Sequence, residues 1–404
     1  MPEKLSVACT EERSDGWGSV RPRLMHNVAA WPFFRHDEPR HDIYIVGNRE
    51  IDRYISVPAP KLPTVLKILS SFDGCNSIHE IQKRFNIEEG KYVNLRALYR
   101  QLCEAGLIAH PVPAQATKGN IERASIRLLR VNVERIFIWL SFYSRRFFPW
   151  TILAMGFLVA VATPLAIVHH KALLSPVKSA WDVATQRKEL CCYAVLLLLS
   201  VILHEMAHGV AGCRYGLYAK RFEAALYLGL VPIVYLRIPG LYTLPARERV
   251  MVWSAGVYWN LTFASFSVIM FHWLPYWHEL WPVLACANYS MAIVNLIPFL
   301  PTDGYFIAST LLKTHNIRGN TWKALAKGVK GRPSSWSGAM LTYFIFTVAI
   351  IGLTIWRDIG WFHRLRTHSI ALEYLGLLLF ALPSLVLLYR GLIRQRVHRS
   401  GSQQ

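Results

Sequence analysis

Long apolar runs separated by short basic segments dominate the chain beyond about residue 146, whereas the earlier residues alternate apolar and polar positions over short distances. A helix needs about 20 apolar residues to cross the hydrocarbon core of a bilayer. Six runs meet that length: Phe147–Val168, Leu190–Gly212, Val250–Trp273, Trp281–Leu300, Gly338–Trp356 and Ala371–Tyr389. The pattern predicts a mainly α-helical, polytopic membrane domain of about six transmembrane helices over residues 147–392, followed by a basic tail over residues 393–404.

One further apolar stretch, Phe222–Pro245, is unsuited to a membrane span because glycine, proline and arginine residues interrupt it. Its β-branched and aromatic residues predict short strands. Since the edges of strands cannot face lipid, this membrane-associated β-strand segment is expected to be buried in protein or to line a wet cavity near the cytoplasmic face. Its strands are also candidates to pair with an extended substrate.

The pattern of the first residues predicts a small soluble domain. The segment "HDIYIVGNREIDRYISV" predicts two strands joined at Gly-Asn. Helices are expected at about Lys61–Ser71, Ser77–Phe85 and Glu89–Ala105, the second beginning with the capping box Ser77-x-x-Glu80. Residues 21–112 thus predict an α+β winged-helix domain after a flexible tail over residues 1–20. Residues 113–146 form a basic linker, in which Ile121–Tyr143 is expected to lie in the membrane interface as an amphipathic helix.

The formal net charge of +20 admits two interpretations, nucleic-acid binding or basic residues clustered at the ends of membrane spans. The second is favoured, because lysine and arginine flank the apolar runs. The link "HWLPYWHELW" between the third and fourth runs has no lysine or arginine. The loops therefore predict a bacterial-type inner membrane protein with both termini in the cytoplasm. The polar N-terminus predicts that no signal peptide is cleaved. Seven cysteines without a C-x-x-C pair argue against a disulfide framework.

The second run contains His204-Glu205-x-x-His208, an unusual set of side chains for an apolar helix. Residues at i and i+4 share a helix face, so both imidazoles are placed to bind one Zn²⁺, while the carboxylate reaches a water activated by the metal. The alternative is a pair of packed, hydrogen-bonded histidines. A glutamate between two histidines inside a membrane is costly unless it is paired or lies at a metal, which favours the metal site.

A catalytic zinc requires a third protein ligand and one open position. Asp303 is the only acidic residue between Trp281 and the basic loop that follows the fourth run. The predicted topology brings the end of that run to the same depth as His204 and His208. We therefore predict one Zn²⁺ per chain, bound by His204, His208 and Asp303, with Glu205 as the catalytic residue.

Residues around these positions resemble the site-2 protease family of intramembrane zinc metalloproteases. The resemblance rests on H-E-x-x-H, on Asn295-x-x-Pro298-x-x-x-x-Asp303-Gly304, and on Ala255-Gly256 followed by Asn260, and it covers residues 185–310. Val257 and Thr302 depart from the usual proline and leucine of the family.

The resemblance implies that Glu205 acts first as the general base and then as the proton donor. It also implies that Asn295, Pro298 and Asn260 position the substrate. The alternative role for Asn295 and Pro298 is to break a helix and satisfy its freed backbone groups.

The N-terminal segments "RPRLMHNVAAWPFFRHDEPRHDIYIV", "FDGCNSIHEIQKRF" and "LRALYRQLCEAGLIAHP" resemble PqqD-like domains, small winged helices that capture leader peptides of ribosomally made, modified peptides. The alternative is a generic winged helix that binds DNA or a protein partner.

Together these features predict an intramembrane zinc endopeptidase that matures a ribosomally made peptide. Its expected partners are membrane lipid and a peptide or membrane-protein substrate captured by residues 21–112, with no nucleic acid. One alternative is cleavage of a membrane-bound regulator in a signalling cascade. Alternatives of another class are a non-catalytic membrane exporter or immunity protein and a membrane-tethered winged-helix DNA-binding protein.

Overall fold

The computed structural model of the chain is mainly helical and contains two small sheets. It describes residues 17–36, 38–89, 94–109, 125–173, 187–227, 231–274, 280–298, 302–314, 316–329 and 336–349, together with residues 333 and 352. The sixth predicted span, Ala371–Tyr389, and the tail over residues 393–404 lie outside the described residues.

The N-terminal sheet is antiparallel and has three strands in the order β1-β2-β3: Val28–Phe34, Ile43–Asn48 and Arg53–Pro58. The two predicted strands are confirmed as β2 and β3, whereas β1 was not predicted. The Gly-Asn pair ends β2 rather than forming the turn, because the Asn48 side chain accepts hydrogen bonds from the backbone N–H groups of Glu50 and Ile51. Within the sheet, β3 is an edge strand.

Three helices cover one face of this sheet: α1 (Leu62–Ser70), α2 (Ile78–Glu89) and α3 (Leu95–Ala105). Ile68, Ile78 and Leu102 are fully buried in the shared core. The predicted capping box is confirmed, since the Glu80 carboxylate accepts from Ser77 N at 2.7 Å and Ser77 Oγ accepts from Glu80 N at 3.2 Å. The predicted start of α3 at Glu89 is wrong.

Helix α3 begins at Leu95 because Asn94 caps it, accepting a hydrogen bond from Ala97 N at 3.0 Å. An asparagine side chain that satisfies a free amide of the first turn fixes the start of a helix.

Strand β4 (Ser125–Asn132) leads through the single residue Val133 into α4 (Glu134–Val168). The Asn132 side chain accepts a hydrogen bond from Glu134 N at 3.0 Å, which fastens this joint. The predicted interfacial helix over Ile121–Tyr143 is therefore wrong for residues 125–132, which pair with a distant strand instead. Helix α4 begins well before the predicted span and ends at Val168, as predicted.

The remaining chain forms six helices and two strands in the described residues. They are α5 (Arg187–Arg214), β5 (Arg221–Tyr227), β6 (Val231–Arg237), α6 (Ala246–Trp273), α7 (Leu280–Leu296), α8 (Asp303–Leu311), α9 (Ile317–Val329) and α10 (Gly338–Ala349). The strands predicted within Phe222–Pro245 are thereby confirmed. Helix α6 packs against α4, α5, α7 and α8, so it is the centre of this part of the fold.

The second sheet is antiparallel in the order β4-β5-β6. Glu223 on the central strand is buried, forms an ion pair with Arg130 on β4 at 3.3 Å, and accepts a hydrogen bond from Tyr235 on β6 at 2.8 Å. One carboxylate thus connects all three strands. Strand β6 lies close to α5 because Gly209 leaves room for the side chains of Leu236 and Phe137.

Two helical stretches among the described residues, Glu134–Val168 and Val195–Arg214, are long and apolar enough to cross a membrane. In the most apolar part of α4 only 6% of the residues are buried inside the protein, against 33% for the second stretch. Helix α6 has similar length but carries charged residues at its start and Tyr258, Trp259 and Asn260 near its middle. Two such helices fit membrane association, and the six-span arrangement stays a prediction.

Candidate metal centre

Helix α5 places His204 and His208 on one face, as the i, i+4 spacing predicts. Their ring centroids lie 5.0 Å apart, and the two Nε2 atoms lie 3.3 Å apart. Each histidine is 6% exposed, so water hardly reaches either ring.

Asp303 is the first residue of α8, and its Oδ2 lies 3.2 Å from His204 Nε2 and 3.3 Å from His208 Nε2. Two contacts hold this carboxylate in place. A Cβ at Gly304 would collide with the backbone carbonyl of Leu296, so glycine allows α8 to start directly against the end of α7. The Phe306 ring stacks on Trp253 of α6 at 4.5 Å. The structure thus brings together the three predicted ligands.

Hydrogen bonding fixes which atoms of this cluster are electron-rich. His208 Nδ1 lies 2.7 Å from the carbonyl oxygen of Val252, and because a carbonyl only accepts, Nδ1 carries the proton. In the neutral ring, His208 Nε2 then has a free lone pair, which faces the Asp303 carboxylate. Acceptors that face one another in a buried site need a proton or a cation between them.

The distances in the cluster match those around a tetrahedral metal ion. Zinc bonds of about 2.0–2.1 Å to nitrogen and oxygen place the ligand atoms of a tetrahedron about 3.3–3.4 Å apart. The three separations here are 3.2, 3.3 and 3.3 Å. Two imidazoles and one carboxylate also form a usual ligand set of a catalytic zinc, which leaves a fourth position open. These residues therefore fit the predicted metal.

Gly256 supplies the open space beside the cluster. A Cβ at this position would lie 2.5 Å from the Nε2 atoms of both His204 and His208. Any larger residue on this face of α6 would therefore occupy the volume next to the candidate ligand atoms. A glycine in the middle of a helix costs about 1 kcal/mol relative to alanine, so its presence there has a physical reason in this close approach.

Glu205 lies beside the cluster and outside it. Its Oε2 accepts a hydrogen bond from the backbone N–H of Leu236 on β6 at 3.0 Å. Its side chain is partly exposed, whereas the two histidines are buried. The carboxylate therefore lies between the candidate metal ligands and the edge of β6.

The other predicted site residues take different positions. Asn260 lies on α6, one turn beyond Gly256, is fully buried, and has no hydrogen-bond partner for either side-chain polar atom among the described residues. Asn295 lies in the last turn of α7, and Pro298 follows the end of that helix. Within the described ranges, no hydrogen bond connects Asn260 or Asn295 to the His-Asp cluster, and a role in substrate positioning stays a prediction for all three.

The cluster lies close to one end of the helices. His208 precedes the end of α5 at Arg214 by about 9 Å, given a rise of 1.5 Å per residue. On α6, the residue at the level just beyond Gly256 is Tyr258, which donates a hydrogen bond at 2.8 Å to the carbonyl of Ile152, near the start of the apolar part of α4. The centre therefore lies towards the end of the bundle that carries the β4-β5-β6 sheet.

Sequence reasoning missed three contributions to this centre. Gly256 was quoted only as part of a motif, although an isolated glycine in an apolar helix could have indicated a close approach. The carbonyl of Val252 and the N–H of Leu236 act through the backbone, so their side chains carry no signal for these roles.

Comparisons with protein-family models, curated proteins and solved structures find no match to the chain.

Proposed function

We propose that the chain is a membrane-embedded zinc endopeptidase that processes a ribosomally made peptide, as the resemblance of its motifs to site-2 proteases implies. The observation that carries the proposal is the convergence of His204, His208 and Asp303 at zinc-ligand distances, with Glu205 beside them at the edge of a strand.

The surface of α4 supports a membrane location. This helix is strongly apolar, yet large side chains such as Trp150 and Phe157 remain 70% and 73% exposed. A core helix of a soluble protein would bury such residues. Lipid is the solvent in which this exposure is favourable, because apolar side chains then leave water. The proposal therefore keeps the predicted six spans and the cytoplasmic position of the centre.

The candidate site residues have different roles in the proposed hydrolysis. A zinc ion bound by His204, His208 and Asp303 would supply Lewis acidity, which lowers the pKa of a water and polarises a peptide carbonyl. Glu205 takes a proton from the attacking water and gives it to the leaving amine, since it is the free carboxylate beside the ligands. Val252 holds His208 in the tautomer that leaves Nε2 free.

The outer edge of β6, the last strand of its sheet in the described residues, provides a place for the substrate backbone. Leu236 points its N–H away from β5, towards Glu205, so by alternation Val234 points its N–H and C=O to the same side. Pro232 also falls on this side, where its missing N–H costs no bond to β5. An extended substrate paired along this edge would pass directly beside Glu205.

The N-terminal domain offers a second edge for a peptide. The outer side of β3 and helix α3 border an open groove of about 550 Å³, the β3–α3 groove, lined by Asp52, Arg53, Tyr54, Ile55, Ser56, Gln101, Glu104 and Ala105. In the described residues β3 is the outermost strand of its sheet, and an outermost strand beside a helix suits an extended peptide segment, which fits the proposal that this domain captures the leader of the substrate.

The proposal is tested with the full chain purified in detergent, by measuring bound zinc and hydrolysis of labelled casein, an unstructured model substrate. We expect one zinc per chain in the wild type and in Glu205→Gln, and a loss of hydrolysis of about 10²–10⁴-fold in Glu205→Gln. His208→Ala and Asp303→Ala are expected to lose zinc as well. A wild-type protein that binds no zinc, or a Glu205→Gln variant that cleaves normally, contradicts the proposal.

A further inference from the structure

The N-terminal domain is docked on the helical part of the chain through a buried arginine. Arg249, in the first turn of α6, is 1% exposed and donates to the carbonyl oxygens of Phe33 at 2.6 Å and of Tyr242 at 3.2 Å. Its guanidinium group also lies 4.2 Å from the centre of the Phe33 ring. A buried cation held by carbonyls of both partners indicates a defined interface, since it would be costly to leave unpaired.

The turn between β2 and β3 makes the second contact. Asp52 Oδ1 accepts a hydrogen bond from Gly240 N at 3.1 Å. Gly240 has a φ of 85°, and Arg49 lies where a side chain at this position would project, so the turn is fitted closely to the N-terminal domain. The backbone carbonyl of Glu50 accepts from Lys220 at 3.5 Å beside it.

This interface shares residues with the β3–α3 groove. Asp52 and Tyr54 line the groove, and the same two residues contact the helical part of the chain. The Tyr54 ring meets Tyr242 edge to face at 6.5 Å, while Asp52 holds Gly240. A peptide in the groove would therefore touch side chains that also fix the docking.

Two short series of contacts connect these residues to the metal centre. Gly240 follows β6 closely in the chain, and β6 holds Glu205 through Leu236 N. The second series consists of contacts between aromatic side chains. Tyr242 lies 6.4 Å from Trp253, and Trp253 stacks at 4.5 Å on Phe306, which is one turn after the candidate ligand Asp303.

From this arrangement we propose that occupancy of the β3–α3 groove by an extended peptide is coupled to the placement of β6 and α8 at the metal centre. The coupling rests on the proposed function of that centre. The two states are the groove filled and the groove empty, and Asp52 and Tyr54 are the positioning residues that transmit the difference. Because linkage is reciprocal, metal bound at the centre changes the affinity of the groove for the peptide by the same factor by which the peptide changes the affinity of the centre for metal.

The first experiment fills the groove without any ligand and reads the effect at a distance by hydrogen exchange of the full chain. Gln101→Trp places a bulky ring in the groove, and Lys83→Trp places the same ring on the exposed side of α2 as the matched control. We expect exchange over residues 231–245 to change by about fivefold or more in Gln101→Trp, the lower end of usual coupling, and to stay unchanged in the control. Unchanged exchange in Gln101→Trp, or an equal change in both variants, overturns the proposal.

The second experiment runs in the opposite direction and uses zinc alone as the probe. Adding zinc to metal-free wild-type protein is expected to change exchange over residues 52–58, and Tyr242→Leu is expected to abolish that change while zinc still binds. Zinc binding without any change at residues 52–58 overturns the coupling. Absence of zinc binding contradicts the proposed function instead, and the first experiment then still decides whether groove and β6 are coupled.

Discussion

The two sheets of the chain have the same plan and different neighbours. Each is antiparallel, has three sequential strands, and ends in an edge strand that runs beside a helix: β3 beside α3, and β6 beside α5. In the first pair the helix presents Gln101 and Glu104 to the gap. In the second it presents Glu205, with two histidines adjacent.

The difference teaches that the edge strand alone does not determine what a site does. Under the proposed function, the edge of β3 holds a peptide because the opposite helix brings neither a base nor metal ligands. The edge of β6 would instead present a peptide for cleavage, because its helix brings both within reach of the same backbone. The five predictions below each alter one side of this comparison or the docking that joins the two sides.

The largest effect is expected where α6 leaves space at the second site. In Gly256→Ala the new methyl group lies 2.5 Å from the Nε2 atoms of both histidines, so the ligand atoms must move apart. We expect metal affinity and hydrolysis each to fall by about 100-fold or more, the upper range for disturbed ligand geometry. Zinc titration and casein hydrolysis measure the two losses.

Gly212→Ala is the matched control for this variant. It is also a helical glycine, but the nearest atom to its added Cβ is 3.4 Å away. Normal zinc binding by Gly256→Ala would show that the space beside the histidines is not needed.

The next effect concerns the docking that joins the two halves of the comparison. Arg249→Met keeps an apolar stem of similar length but loses both hydrogen bonds to the carbonyls of Phe33 and Tyr242. A hydrogen bond from a charged donor contributes about 1.5–3 kcal/mol, so we expect exchange over residues 28–34 to rise by at least about tenfold. The neighbouring Arg247→Met, at an exposed position, serves as the control. Equal exchange in both variants would mean that Arg249 does not hold the domains together.

A smaller effect is expected at the outer edge of β6. Val234→Pro removes an N–H that points away from β5, so the sheet keeps its own ladder while the substrate loses one donor. The loss of one hydrogen bond to the substrate is expected to lower kcat/KM by about tenfold, and the zinc content should be unchanged. Val234→Ala, which keeps the N–H, is expected to cleave normally. Full activity of the proline variant would exclude pairing of the substrate with this edge.

The smallest effect lies in the first half of the comparison, at the capping box of α2. Ser77→Ala removes the acceptor for Glu80 N, and loss of a helix cap costs about 1 kcal/mol, or about fivefold faster exchange of the α2 amides. The metal centre should not respond. Normal protection of α2 would show that this cap contributes nothing.

The same box gives a pH dependence of known sign. The hydrogen bond from Ser77 N lowers the pKa of the Glu80 carboxyl below its ordinary value of 4.5. A depressed pKa stabilises the fold above the ordinary value, and this stabilisation disappears as the pH falls through the lowered one. The difference in α2 exchange between wild type and Glu80→Gln, compared at equal pH, should therefore shrink in acid.

The sequence predicted the elements whose signal is local. The spacing of His204, Glu205 and His208 fixes their arrangement on α5, and the position of Asp303 after an apolar run brought the third ligand to the same depth. Strands β1 and β4 were missed because their partners are distant in the chain or their pattern is ambiguous. Residues 125–132 alternate arginine with apolar side chains, which suits an interfacial helix as well as a strand until Arg130 meets Glu223.

The contributions that act by shape or through the backbone were beyond sequence reasoning. Gly256 matters by the absence of a side chain, and Leu236 by an N–H that every residue except proline has. The docking of the N-terminal domain depends on Arg249. In the sequence, Arg249 is indistinguishable from the other basic residues at the ends of the predicted spans. Only the packing of two distant segments around it, β1 and the turn at Tyr242, distinguishes it from its neighbours.

The joint between β4 and α4 has a mechanical consequence. Val133 is the only residue between them, and the Asn132 side chain accepts a hydrogen bond from Glu134 N, so the direction of β4 is closely tied to the start of α4. Helix α4 is about 52 Å long at 1.5 Å per residue, much longer than the hydrocarbon core of about 30 Å. Its tilt in a bilayer would follow the thickness of the lipid, and the whole β4-β5-β6 sheet would swing with it. Under the proposed membrane location, the height at which the edge of β6 meets Glu205 would then depend partly on the lipid composition of the membrane.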